Sequence, residues 1–327
     1  MRRIILVCLV SLFAFPFHAM AKVVNEDKSL YSFEMMEADL TRLQQTLPIE
    51  VHSIGKSEKG RDIWAVKLGK GQKSILLVGA HHGREWLTTH LLVKMLEQYG
   101  TAYKKGKPLG EYSMKLLDEI SIWFIPMINP DGVSIQQGNL SGFSHYEKIV
   151  TWQRNNYSMD WSRWKANAKG IDLNRQYPAG WDEVKTDVSK PFYQFYKGKK
   201  PFEAVEVQAL AQFTYRIEPL VAVSYHTSGR EIFWHYHNKQ EHMARDYELA
   251  KKTAELTGYK LSKPEKHAVG SGFTDWFITE FERPAMTIEL SYLVEETNPP
   301  LSVFPEEWKR NRLVGMMLVK EAVSGIK

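Results

Sequence analysis

The amino-acid sequence predicts a single α/β domain: a largely parallel or mixed sheet with helices on both faces. Three observations predict it. Apolar runs lack polar alternation, helical patterns lie between them, and no repeat, low-complexity tract or long Pro/Gly/Ser linker divides the chain. Residues 74–79 (SILLVG) read as a buried strand, followed by a helix over about 87–99. Residues 120–128 (ISIWFIPMI) make a second strand, ended by the turn Asn129-Pro130-Asp131-Gly132. Residues 219–225 (PLVAVSY) and 284–290 (PAMTIEL) supply two more strands, and helices fill 203–215, 242–257 and 305–323.

The chain opens with Met1-Arg2-Arg3, an apolar stretch from Ile4 to Phe17, and Ala19-Met20-Ala21 before Lys22. A basic start, a short apolar centre and a small-x-small site predict a signal peptide at 1–21, cleaved after Ala21. The apolar stretch is shorter than the roughly 20 residues a spanning helix needs, so the mature chain, 22–327, is expected without a membrane span, in the periplasm or outside the cell. The only cysteine, Cys8, lies in this leader after Val7, which does not suit a lipidation site. The mature chain thus has no disulfide and must be held by its core, which about 300 residues can supply. Losing Arg2 and Arg3 lowers the formal charge from +5 to +3, with no basic block. That pattern excludes nucleic acid as a partner. No feature of the sequence sets an oligomeric state.

In sheets of this class, ligands gather beyond the carboxyl ends of the strands. His82 and Glu85 follow the first predicted strand, Asn129 to Gly132 the second and His226 the third, while Glu289 sits at the end of the fourth. Two histidines and a carboxylate, with a fourth position left open, form a common hydrolytic zinc site. Alone, an H-x-x-E spacing and a histidine after a strand are equally consistent with ordinary polar residues. His81 is out of register with Glu85 and reads as a neighbour of the ligands.

Five stretches in order settle the resemblance: residues 79–88 (GAHHGREWLT), 129–132 (NPDG), 170–175 (GIDLNR), His226-Thr227-Ser228 and 287–290 (TIEL). From about Tyr31 to its end the sequence resembles the zinc carboxypeptidase family. The resemblance implies a single α/β/α domain around a mixed, mostly eight-stranded sheet. It implies one zinc ion per chain, held by His82, Glu85 and His226, with Glu289 as general base for the attacking water. Asp172 would orient His82 through its other ring nitrogen, and Asn174 and Arg175 would bind a free carboxylate of the substrate. Arg84 would serve a subsite or packing.

Two departures stand out. The family's carbonyl-polarising arginine is replaced: counting back from Gly170 puts Lys165 in its place, with Arg163 a competitor. Where digestive members carry a mobile tyrosine, counting back from Asp275-Trp276 lands on His267, which could hydrogen-bond substrate, titrate near neutral pH or be a plain loop residue. Some hydrolase relatives lose ligands and become binding modules; here the three ligands and the base are all present, which implies a catalyst.

Residues 164–181 (WKANAKGIDLNRQYPAGW) are similar to bacterial γ-D-glutamyl-diaminopimelate peptidases, which cut peptidoglycan stem peptides. Residues 226–234 (HTSGREIFW) are also similar, although Arg230 departs from the acid usual there. The resemblance therefore implies a stem-peptide substrate, with a carboxypeptidase acting on ordinary peptides as the alternative. Thr274, aligned with the base of the side-chain pocket, is neither acidic nor bulky and selects neither basic nor aromatic residues. The tryptophans at 152, 161, 164 and 181 read as core or rim packing.

Overall fold

The computed structural model describes residues 30–264 and 270–326, so the leader expected at 1–21 and His267 lie outside the described residues. The eight strands found there are β1 (Ile49–Lys56), β2 (Asp62–Leu68), β3 (Lys73–Val78), β4 (Ile120–Ile125), β5 (Ala222–Thr227), β6 (Glu231–Phe233), β7 (Lys260–Leu261) and β8 (Ala285–Leu290). They form one sheet in the order β1-β2-β4-β3-β5-β8-β6-β7. The four inner strands β4, β3, β5 and β8 are mutually parallel, while β2 and β6 run antiparallel to β4 and β8. This is the mixed eight-stranded sheet expected.

Strand β3 shows why the inner runs carry no polar alternation. Ile75 and Leu77 enter one apolar core and Leu76 and Val78 the other, all fully buried. The first core is closed by α1 (Phe33–Thr46), α2 (Leu87–Lys105), α6 (Met243–Thr257), α8 (Phe304–Asn311) and α9 (Val314–Val323). The second lies under α5 (Val205–Ile217) and α7 (Phe273–Phe281). Two further helices, α3 (Pro130–Gln136) and α4 (His145–Arg154), lie in the connection that follows β4. Among the described residues no helix is long and apolar enough to cross a membrane.

Three local expectations change. The NPDG stretch is a helix start: Asn129 accepts from Gly132 N as N-cap and Pro130 opens α3, the positions where both residue types are favoured. The helix expected over 87–99 runs on to Lys105, where Gly106 at φ 60° closes it. The helix expected over 305–323 is two. Asn311 Nδ2 donates to the Glu307 carbonyl, and the backbone at Leu313 leaves helical geometry at φ −112°.

The fold puts the ends of β3, β5 and β8 side by side. His226 pairs in register with Glu289 across β5 and β8. At β3 the neighbours diverge, with β4 on one side and β5 on the other. A crevice opens at such a switch point.

Candidate active site

Beyond β3, the chain turns through Ala80 and His81 into a short 3-10 turn, Gly83–Glu85, that His82 precedes. The turn is wedged against the start of α3. Gly83 N donates to the Lys165 carbonyl at 2.9 Å, and a Cβ on Gly83 would lie 2.4 Å from the Gly132 carbonyl oxygen. Only glycine fits that approach. Asn129 Nδ2 ties the same region together by donating to the carbonyls of His81 and Ala166. The NPDG stretch is therefore scaffolding for the His82–Glu85 turn.

His82, Glu85 and His226 converge, with one donor atom from each lying within 4.8 Å of the others. His82 Nδ1 is 2.7 Å from Glu85 Oε1, His226 Nδ1 is 2.8 Å from Glu85 Oε2, and the two Nδ1 atoms are 3.2 Å apart. All three side chains are buried. The outer ring nitrogens are engaged elsewhere: His82 Nε2 is 3.1 Å from Asp172 Oδ1, and His226 Nε2 is 3.0 Å from Ser224 Oγ. Two imidazoles held from behind, with inner nitrogens turned to one carboxylate, make a donor set that fits Zn²⁺. Burial would raise the Glu85 carboxyl, yet the facing histidines hold it well below the usual range.

His81 stays out of this trio. Its Nδ1 is 3.1 Å from Ser224 Oγ and its Nε2 3.2 Å from Tyr177 OH, so a buried chain runs from Tyr177 through His81 and Ser224 to His226. Burial, then the neighbouring histidines, push His81 well below its usual pKa. Sequence reasoning missed Ser224 and Tyr177. The one signal for Ser224 was its place two residues before His226, on the same face of a strand.

Glu289 lies beside the trio with its Oε2 buried and unpartnered among the described residues. Burial and the Glu85 carboxylate push its own carboxyl well up. Asp172 is fully buried. Burial would raise it, but Lys165, His82 and Arg175 together hold it well below the carboxylate range. Lys165 Nζ is 3.2 Å and Arg175 Nε 3.7 Å from Asp172 Oδ2, and both cations stand over the Phe195 ring. Asn174 Oδ1 accepts from Phe273 N, and Arg175 Nε has no hydrogen-bond partner among the described residues.

A cavity of about 160 Å³ gathers these groups, lined by His82, Lys165, Asp172, Asn174, Arg175 and Asp275. Asp275 accepts from Gly272 N, and burial raises it to about 7. Arg163 lies elsewhere: its guanidinium sits 4.2 Å over the Tyr193 ring and donates to the Asn155 carbonyl. Arg84 Nη1 donates to the Arg163 carbonyl and to Gln194 Oε1. Arg84 and Arg163 share a second cavity of about 890 Å³. Thr274 is buried against Thr287, 2.7 Å between hydroxyls. Arg230 serves the fold, pairing with buried Glu307 and with Glu306. Trp164 is fully buried.

Residues 36–313 match the family described as zinc carboxypeptidase. The chain is 30% identical to gamma-D-glutamyl-L-diamino acid endopeptidase 1 of Lysinibacillus sphaericus, over 86% of this chain and 70% of that one. Its fold is similar to thrombin activatable fibrinolysis inhibitor, with a TM-score of 0.69, 16% identity and coverage of 92% and 77% of the two chains. It is also similar to the murein-tripeptide amidase MpaA of Escherichia coli O157, with a TM-score of 0.53, 19% identity and coverage of 85% and 95%. Family match, sheet and His-Glu-His trio agree: the chain belongs to the zinc carboxypeptidase family and is a zinc-dependent peptidase.

Proposed function

We propose that this peptidase cleaves the γ-D-glutamyl–diaminopimelate bond of peptidoglycan stem peptides, with His82, Glu85 and His226 as its zinc ligands. One observation carries the reading: the cavity beside His82 sets the cations Lys165 and Arg175 together with the Asp172 carboxylate and the Asp275 carboxyl group. The diaminopimelate residue of the substrate carries a carboxylate beside the scissile bond and a free amino-acid group at its far end, so it offers both carboxylates and an ammonium. The relative from Lysinibacillus sphaericus, named for cleavage between γ-D-glutamate and a diamino acid, supports the same choice. The leader read at 1–21 would deliver the enzyme to the envelope that holds this substrate.

Bound zinc supplies Lewis acidity and makes a water acidic enough to lose a proton near neutral pH. Glu289 takes that proton as the water oxygen bonds to the scissile carbon. It then gives the proton to the leaving amine as the C–N bond breaks. Lys165 offers its ammonium to the negative charge that grows on the carbonyl oxygen. Asn174 and Arg175 grip the carboxylate of the leaving residue, with Nε of Arg175 turned to Asp172 so that the guanidinium is held in place for that task. Asp172 holds His82, Lys165 and Arg175 at one buried carboxylate, so ligand, oxyanion group and substrate anchor share one frame.

Product analysis by mass spectrometry tests the proposal. Incubation with L-Ala-γ-D-Glu-diaminopimelate should release L-Ala-D-Glu and free diaminopimelate, while unmodified α-linked peptides of equal length should persist. Trimming of the α-linked peptides with the stem tripeptide left intact would replace this reading by an ordinary carboxypeptidase.

A further inference from the structure

The larger cavity, about 890 Å³, borders the trio through Arg84, which precedes Glu85, and through Thr227, whose backbone N donates to Glu85 Oε2 at 3.3 Å. It shares no lining residue with the cavity that holds Asn174 and Arg175. Both cavities adjoin the trio, so with the leaving side of a peptide in the smaller one, the larger is the space left for its acyl side.

Two guanidinium groups line that cavity, and among the described residues neither is within ion-pair distance of a carboxylate. Both are braced by neutral groups. Arg84 Nη1 is held by Gln194 Oε1 and the Arg163 carbonyl, while Arg163 is held by the Asn155 carbonyl and the face of Tyr193. The rim carries two exposed acids, Glu295 and Glu296. Glu296 is already engaged, accepting from Gln194 Nε2 at 2.6 Å. Gln194 thus stands between anion and cation, bonding both. The braced guanidiniums leave further N–H donors free for a ligand, in fixed directions.

We propose that Arg84 and Arg163 recognise a free carboxylate on the acyl side of the scissile bond, the α-carboxylate of a γ-linked glutamyl residue. This rests on the substrate reading above. In an α-linked peptide, the acyl residue spends its α-carboxyl in the scissile bond and shows only neutral backbone there. In a γ-linkage the side-chain carboxyl is spent, and the α-carboxylate stays ionised two methylenes away. A pair of arginines in direct contact with no carboxylate distinguishes the two linkages. An anion gains charge-assisted hydrogen bonds there that a neutral backbone does not.

The test is a cycle of substrate against protein. kcat/KM is measured on L-Ala-γ-D-Glu-diaminopimelate and on the same peptide with the glutamyl α-carboxylate converted to the carboxamide. The zinc-loaded proteins are wild type, Arg163→Gln and Arg84→Gln, with zinc content and Tm recorded for each. Amidation should cost the wild type roughly ten- to hundredfold. Arg163→Gln should lose a similar factor on the acid and little more on the amide, because both changes delete one contact. Arg84→Gln should behave likewise; should it fail to fold, Arg163→Gln carries the test. Wild type that cuts acid and amide equally overturns the assignment and leaves the γ-linked substrate standing. Variants that lose acid and amide activity in equal proportion also overturn it. If only α-linked peptides are cut, the substrate reading fails, and this assignment with it.

Discussion

Asp172→Asn is the most informative single change, since it preserves the shape of a fully buried side chain and removes its charge. Five contacts meet at this carboxylate. Oδ1 faces His82 Nε2 at 3.1 Å and accepts from Asn174 N at 3.2 Å. Oδ2 faces Lys165 Nζ at 3.2 Å and Arg175 Nε at 3.7 Å, and accepts from Phe195 N at 3.3 Å. The asparagine keeps one acceptor but no longer makes His82 a stronger base. Loss of such an outer partner lowers metal affinity by about 10- to 100-fold, or roughly 1.4–2.8 kcal/mol. The metal-free fold should lose a comparable amount, about 1.5–3 kcal/mol for one charge-assisted contact, because Lys165 and Arg175 can turn toward solvent and limit the damage. Zinc competition against a chromophoric chelator measures the first quantity, and thermal melts of metal-free protein measure the second. Ser224→Ala, which removes only a neutral partner from His226, should weaken zinc less. Wild-type zinc affinity in folded Asp172→Asn would refute the claim that Asp172 tunes the metal site through His82.

Glu289→Gln should lower turnover by about two to four powers of ten while zinc content and Tm stay near wild type; normal turnover would move the base elsewhere. Glu206 offers a pH test away from the site. It is buried, accepts from Asn167 Nδ2 and Glu58 N, and burial lifts it from 4.5 to about 7. The folded protein then holds the proton more tightly than the unfolded chain, so this stability is present below about pH 4.5 and lost as pH rises through 7. The loss is on the order of 3 kcal/mol at most. Melts at fixed saturating zinc should show Glu206→Gln gaining on wild type from pH 5 to 8; parallel curves would contradict the shift. Asp275, raised to about 7 by burial, adds a slope of the same sign in both proteins.

The inner sheet was legible because β3, β4, β5 and β8 bury side chains on both faces, which leaves unbroken apolar runs. The outer strands were not. β1 exposes most of its length, and β6 and β7 span only three and two residues, so neighbours rather than composition make them strands. His82, Glu85, His226 and Glu289 stood out as candidates because strand ends converge in this architecture, and their expected roles came from the resemblance. Their supports could not: Tyr177 reaches His81 across 96 positions, and nothing local to either residue announces it. Lys165 and Arg163 are two apart and equal in charge type, yet the chain aims one at Asp172 and the other at Tyr193. That division follows from the backbone path around buried Trp164, which spacing does not encode.

Every step proposed above depends on a zinc ion held by His82, Glu85 and His226. Anomalous diffraction from crystals of the zinc-loaded protein, recorded on both sides of the zinc absorption edge, tests it most directly. One strong site is expected, with His82 Nδ1, His226 Nδ1 and the Glu85 carboxylate about 2.0–2.2 Å away. Zinc bound without His226, or a fully loaded crystal with no peak between the two histidines, would contradict it.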